Sequence, residues 1–231
     1  VPIPEPGVAA RLAALHERIA AAARACGRDP GGIGLVAVSK RHPAEAVEAA
    51  YAAGQRAFGE NYPQEAIEKI SRLALPDIEW HFIGRIQSNK TRPIAEHFAW
   101  VHGLADLRHA ERLADQRPAE LPPLHLCLQV NLTGEASKGG VSEADLPALA
   151  RAAAGLPRLR LRGLMTMTDP AAPPAAQRAT FRRLRLLKER LSAQGLDLDT
   201  LSMGMSDDLE AAIAEGATLV RVGTAVFGPR A

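Results

Sequence analysis

The chain has 231 residues, 47% of them apolar and only 4% aromatic, with a formal net charge of +2. That length accommodates one large α/β domain with an aliphatic core. So small a charge, with no run of five like charges, gives no footing for nucleic acid or an anionic membrane, and no segment reaches the ~18 uninterrupted apolar residues of a membrane span.

A first helix is written in Leu12, Leu15, Ile19, Ala22, Ala23 and Cys26, which recur at helical spacing, and Gly27 and Pro30 end it. Arg11, Glu17 and Arg18 interrupt its apolar pattern, so it does not read as a secretory signal. Strands are predicted near 33–39, 56–60, 78–83, 98–102, 124–130, 160–166, 198–203 and 218–222. Helices are predicted near 43–53, 62–74, 87–96, 106–117, 142–154, 176–193 and 206–215, with a last turn after Thr224. Short apolar strands alternating with helices make a parallel sheet buried on both faces. Eight such units close into a (β/α)8 TIM-type barrel, here with an extra N-terminal helix, and we expect a single α/β domain over residues 1–231. The rival is an open doubly wound sheet. Its dinucleotide-binding form is disfavoured, because Gly31, Gly32 and Gly34 precede the first strand instead of following it. The proline-rich stretches 117–123 and 170–174 are short and read as loops.

Cys26 and Cys127 are isolated, with no CxxC pair. Two lone cysteines fit a reducing cytoplasm and no disulfide is expected. The seven histidines show no HExxH or comparable spacing, so no metal is expected. No charged or apolar stripe marks an interface, and a monomer is expected.

In a parallel barrel the chemistry sits at the carboxyl ends of the strands. The first strand, Ile33-Gly34-Leu35-Val36-Ala37-Val38-Ser39-Lys40, ends on an amine, and only five of the 28 basic side chains are lysines. Unlike arginine, a desolvated lysine can lose its proton and attack a carbonyl. Near the seventh strand's end, Met203-Gly204-Met205-Ser206 passes toward a helix with Ser206 at the expected N-cap, and Arg221-Val222-Gly223-Thr224 does the same after the eighth. Glycines admit an anion close to backbone N–H groups, and the hydroxyls add donors. Either loop alone reads as a tight turn, but the two together on adjacent strand ends favour phosphate. Asp207 and Asp208 fit only if they point away from it. A lysine facing a phosphate cradle points to pyridoxal 5′-phosphate bound as a covalent aldimine to Lys40; a phosphorylated sugar on an aldolase lysine uses similar parts.

Seven segments taken in order, Val36–Lys40, Phe58–Asn61, His81–Lys90, Gln129–Asn131, Gly163–Met167, Met203–Ser206 and Val220–Thr224, resemble the YggS-type pyridoxal phosphate homeostasis proteins. The resemblance runs over most of the chain. It implies a barrel similar to the N-terminal domain of alanine racemase, with Lys40 as the Schiff-base residue. It also implies phosphate contacts from Ser206, Gly223 and Thr224, and Arg221 facing the pyridine nitrogen. Members of that family look non-catalytic and are associated with vitamin B6 homeostasis. An arginine partner cannot supply the pyridine proton that carbanion chemistry wants, although racemases tolerate one. Racemisation also needs a second base. Tyr51 and Tyr62 lie in predicted helices, and the chain stops at Ala231, just after the eighth strand, so no second base is expected.

Other residues carry two readings each. Asn61 ends the second strand as a cofactor contact or a turn residue. His81 points into the barrel as a ligand contact or a satisfied core histidine. Met165 lines the ring or simply packs. Arg85, Lys90 and Arg92 read as a solvated basic stripe, and Lys138 as a loop lysine that gates the site or is merely solvated. The expectation is a holder of pyridoxal phosphate that buffers it or passes it to apo enzymes dependent on it. The alternative is a racemase-like enzyme acting on amino acids.

Overall fold

The first half of the chain alternates short runs rich in aliphatic and aromatic residues with amphipathic stretches, and each run becomes a strand. The computed structural model describes residues 7–134, 139–169 and 171–229. The order is α1 (Val8–Ala25), β1 (Gly34–Val38), α2 (Ala44–Ala52), β2 (Ala57–Glu60), α3 (Pro63–Leu73), β3 (Glu79–Phe82), α4 (Thr91–His97), β4 (Trp100–Leu104) and α5 (Leu107–Gln116). It continues with β5 (Leu124–Gln129), α6 (Leu146–Ala154), β6 (Leu159–Met165), α7 (Pro174–Ala193), β7 (Thr200–Ser202), α8 (Leu209–Ala214), β8 (Leu219–Val222) and α9 (Thr224–Phe227). The strands form a closed parallel barrel in sequence order. Closure comes from β1 pairing with β8, with Val36 opposite Arg221 and Ala37 opposite Val222. The TIM-type barrel with its extra N-terminal helix is therefore the fold.

Strand residues that point outward meet the helices. Phe58, Phe82, Val101, Leu126, Leu164 and Val220 are all buried there with Val47, Ala66, Ile94, Leu113, Leu149 and Leu184 from the helical ring. Burying side chains of this size stabilises by roughly 1.5–3 kcal/mol each before entropy is counted. The barrel's own interior is different. It holds a small cluster of Trp100, Cys127 and Met165 and several fully buried polar side chains, including His81, His102, Ser202 and Arg221.

Helix α1 closes against the last units of the barrel. Leu12, Leu15, Ile19 and Ala23 form its buried stripe. Arg18 Nη2 donates to the carbonyl of Ser206 at 2.8 Å, and Arg28 donates to the carbonyls of Ile213 and Ala217 at 2.7 and 2.8 Å. Three helix starts fall three or four residues later than expected; α4 begins at Thr91 instead of 87. Helix α6 begins at Leu146 instead of 142, because Val141 first bridges Val130 and the Ser142 hydroxyl accepts from the amide of Asp145. Helix α8 begins at Leu209, so Ser206 is not its N-cap. The cysteines are free, Cys26 exposed and Cys127 buried. Among the described residues, no helix is long and apolar enough to cross a membrane.

Candidate functional site

The polar strand ends that matter lie on neighbouring strands. β7, β8, β1 and β2 are consecutive around the barrel, so Ser206, Gly223–Thr224, Lys40 and Asn61 share one arc of the carboxyl rim. The β7 and β8 ends are tied by Arg221 N–H donating to Gly204 O at 2.9 Å. Gly223 lies against β1: a Cβ there would sit 3.2 Å from the carbonyl of Val38. Glycine eases this close approach of the turn after β8 to the strand that carries Lys40, because a side chain would force the two apart by a few tenths of an ångström. His42, two residues past Lys40, packs its ring 5.1 Å from that of Phe227 in α9. The lysine loop and the Gly223–Thr224 turn are thus one packed unit.

Ser206 and Gly223 are half-buried and Thr224 is exposed, so their polar groups are open to a ligand. Helices α8 and α9 are short, so hydroxyls and turn amides carry the anion-binding capacity more than any helix dipole. The awkward aspartates are accounted for. Asp207 is exposed. Asp208 is buried, accepting from the amide of Met205 at 2.6 Å and from the Thr168 hydroxyl, which commits its carboxylate beneath the turn.

Lys40 itself is half-buried, and its backbone is clamped on both sides. Lys69 Nζ in α3 donates to Ser39 O, Glu60 Oε1 and Glu65 Oε1, each at 2.7 Å. The Ser39 hydroxyl donates to the same Glu60 oxygen at 2.6 Å. On the other side Glu65 Oε1 accepts from the amide of Arg41, a residue held at φ 61°, which a side chain adopts only under constraint. One ion-paired triad therefore fixes the peptide groups before and after Lys40. An ammonium has three donors, and those of Lys69 go to three oxygens, so Lys69 serves as structure. Burial pushes the Glu60 carboxyl above its ordinary range, against the pull of Lys69 and Ser39. The sequence reading passed over this triad. Its signals were the scarcity of lysine and the Glu65–Lys69 spacing of four on a helix.

Arg221 projects from β8 into the barrel interior. Its Nη1 donates to Ser202 Oγ at 2.7 Å and its Nη2 to the carbonyl of Thr166 at 3.2 Å. The guanidinium has five N–H donors, so these bonds leave others for a ligand. Burial brings Arg221 down to about 10, and it stays cationic near neutral pH.

A cavity of about 570 Å³ opens over the ends of β2 to β6, lined by Asn61, Ile83, Gly84, Gly103, Gln129 and Met167 among others. It adjoins the Lys40 side of the rim and does not include the Ser206 and Thr224 loops. Asn61 Oδ1 is buried there without a hydrogen-bond partner among the described residues, an acceptor whose desolvation a ligand donor would offset. Gly84 is needed beside it, because a Cβ would collide with the Asn61 carbonyl.

Two of the candidate contacts, His81 and Met165, lie in the barrel interior. His81 is fully buried with both ring nitrogens engaged, Nδ1 on His102 Nε2 at 2.8 Å and Nε2 on Glu79 Oε1 at 2.9 Å. It is a satisfied interior histidine, not a group presented at the rim. Met165 packs with Trp100 and Cys127 inside the barrel, the packing role of its two readings. Tyr62 precedes α3 instead of lying in it, 46% exposed, with the Arg41 guanidinium 6.0 Å from its ring centroid. Tyr51 donates its hydroxyl to Pro76 O, which occupies it structurally. Lys138 lies outside the described residues.

The family described as Alanine racemase, N-terminal domain, matches residues 10–231. The chain is 62% identical over 223 residues to a pyridoxal phosphate homeostasis protein of Pseudomonas aeruginosa, covering 96% of each. It is 52% identical over 226 residues to the protein of that name from Escherichia coli K12, covering 96% of this chain and 97% of the other. PipY of Synechococcus elongatus, solved with pyridoxal phosphate bound, superposes with a TM-score of 0.86 at 43% identity, over 96% of this chain and 100% of that one.

Proposed function

The chain belongs to the family of pyridoxal phosphate homeostasis proteins, on the alanine racemase N-terminal domain fold, and from that premise we propose that it holds pyridoxal phosphate on Lys40 by a reversible covalent bond and releases it to apo enzymes, without amino-acid catalysis of its own. The observation that carries this reading is the packing of the Lys40 loop against the Gly223–Thr224 turn. An amine and an anion-binding turn are presented side by side on β1 and β8, as a molecule with an aldehyde and a phosphate requires.

The residues fit the ligand. Pyridoxal phosphate supplies an aldehyde and a pyridine ring able to take up electrons. Lys40 would supply the amine that holds the aldehyde, with water as the leaving group. Ser206, Thr224 and the Gly223 turn hold the phosphate. Arg221 donates to the ring nitrogen. Asn61 offers its unpartnered oxygen to a donor on the ring side. A cationic donor keeps that nitrogen an acceptor, whereas carbanion chemistry wants it protonated. The adjoining cavity leaves the ring open to an incoming amine, which suits exchange and release. A cytoplasmic setting fits two free thiols, and a monomer is the acting unit we propose.

Two solution experiments test the holder against the racemase-like reading. Loaded protein with L-alanine in deuterated water is expected to exchange the α-hydrogen no faster than the same concentration of free pyridoxal phosphate; faster exchange sinks the holder. Loaded protein mixed with an apo enzyme is expected to activate it faster than an equal amount of free ligand does. Activation at or below that rate argues for storage alone.

A further inference from the structure

The barrel interior carries an unbroken line of polar side chains that the binding reading does not use. Glu79, at the amino-terminal start of β3, has a side chain 48% exposed. Its Oε1 meets His81 Nε2 at 2.9 Å, His81 Nδ1 meets His102 Nε2 at 2.8 Å, and His102 Nδ1 meets Ser202 Oγ at 2.7 Å. Ser202 Oγ then accepts from Arg221. The line crosses from the open amino end of the barrel, through β3, β4 and β7, to the arginine under the carboxyl rim.

The chemistry of its two ends sets the direction of every bond. Arg221 can only donate, and an ionised Glu79 can only accept. Ser202 Oγ receives the guanidinium proton, so its own O–H is turned toward His102 Nδ1. His102 is then the Nε2–H tautomer and donates to His81 Nδ1. His81 is likewise the Nε2–H tautomer and donates to Glu79. Reversing the line would point an imidazole lone pair at the carboxylate and two donors at Ser202. The electrostatics agree. Burial first, and with it the guanidinium charge of Arg221, holds His102 well below the ordinary imidazole range. Burial holds His81 down against Glu79. The His81 hydrogen bond keeps Glu79 below the usual carboxylate range. The other ionisable groups packed around the line are Cys127, whose thiol burial pushes up to about 12, and His125, which burial lowers. Beyond them lie Arg162 with Asp199, and Asp208, which acts on Arg221 through its charge.

We propose that Glu79, His81, His102 and Ser202 are positioning residues for Arg221, a one-directional hydrogen-bond line that aims the guanidinium and fixes it as a donor toward the ligand's ring nitrogen. The inference rests on the reading of Arg221 as that donor. The line gives two interior histidines a role by which they act on the ligand without touching it. It also couples a carboxylate at the far end of the barrel to the site. Cooperative lines of this kind are worth more than their separate bonds.

The test begins on ligand-free protein labelled with ¹⁵N-histidine. Near neutral pH, His81 and His102 are expected as neutral Nε2–H tautomers; an Nδ1–H tautomer or a cationic ring at either position overturns the proposal. The second arm uses protein loaded with pyridoxal phosphate. Ser202→Ala is expected to weaken ligand affinity by up to about tenfold, the scale of one lost hydrogen bond, and to make the ligand's visible absorption band respond to pH where the parent's does not. Ser202→Thr is expected to restore both. An alanine variant with parental affinity and pH profile overturns the proposal, and the tautomer measurement decides it if that variant fails to fold. A parent protein that takes up no pyridoxal phosphate contradicts the binding reading instead, and leaves the tautomers to judge the line.

Discussion

Lys69 shows how one side chain can serve another. It is 6% exposed, and its ammonium joins Ser39 O, Glu60 and Glu65 beneath the Lys40 loop. Removing one partner of a buried pair strands the other, at a cost of about 3–5 kcal/mol. Lys69→Met is therefore expected to lower unfolding free energy by that order in a urea titration, and Lys69→Met with Glu60→Gln to recover a large part of it. A single variant as stable as the parent would show that the triad carries no weight. The pH sign of Glu60 is opposite to that of Glu79 and Glu215, which are held below the ordinary range. Its folded value is raised above 4.5 by burial, so its contribution is fully present below that pH and is lost as pH rises through the folded value. The sequence disclosed Lys40 because a rare lysine closed an apolar strand. Lys69 is as rare, but its meaning depends on α3 delivering it to a carbonyl 30 residues earlier. His81 was legible as an interior residue from strand alternation; its partners on β4 and β7 were not, because only barrel closure brings them together.

Elements were more legible than their boundaries. Alternating apolar strands and amphipathic helices gave all eight βα units their order, because a parallel sheet needs a crossover helix at each step. The start of α8 was misread because Ser206 and the aspartates after it look like a cap. In the folded chain Asp208 instead binds the Met205 amide and the Thr168 hydroxyl, which spends three residues on a turn before the helix begins. Helix α8 is then pinned to α7 through Glu215, 7% exposed at the side chain, which accepts from Arg178 at 2.7 Å and Arg185 at 3.3 Å. Burial pushes the Glu215 carboxyl up, and the two arginines more than offset it, leaving it below its ordinary 4.5. A depressed carboxylate contributes stability above its unfolded value and loses it as pH falls through the folded one. Glu215→Gln is expected to cost about 1 kcal/mol near neutral pH, the arginines being partly exposed. The gap from the parent should close in acid. A gap that is constant with pH would assign the loss to packing.

At the scale of the whole molecule, closure of β8 onto β1 is what makes a site from two distant sequence segments. Residues near 40 and near 223 become neighbours only because the barrel closes, and α1 backs the last units, with Arg18 holding the Ser206 carbonyl. The central claim is that this junction tethers pyridoxal phosphate at Lys40. Reduction of the loaded protein with borohydride, digestion and peptide mass mapping test it most directly. The predicted result is one phosphopyridoxyl group on the peptide bearing Lys40, with Lys40→Ala protein unlabelled and colourless. Label on Lys69, Lys138 or another lysine, or retained colour in the Lys40→Ala variant, would contradict it.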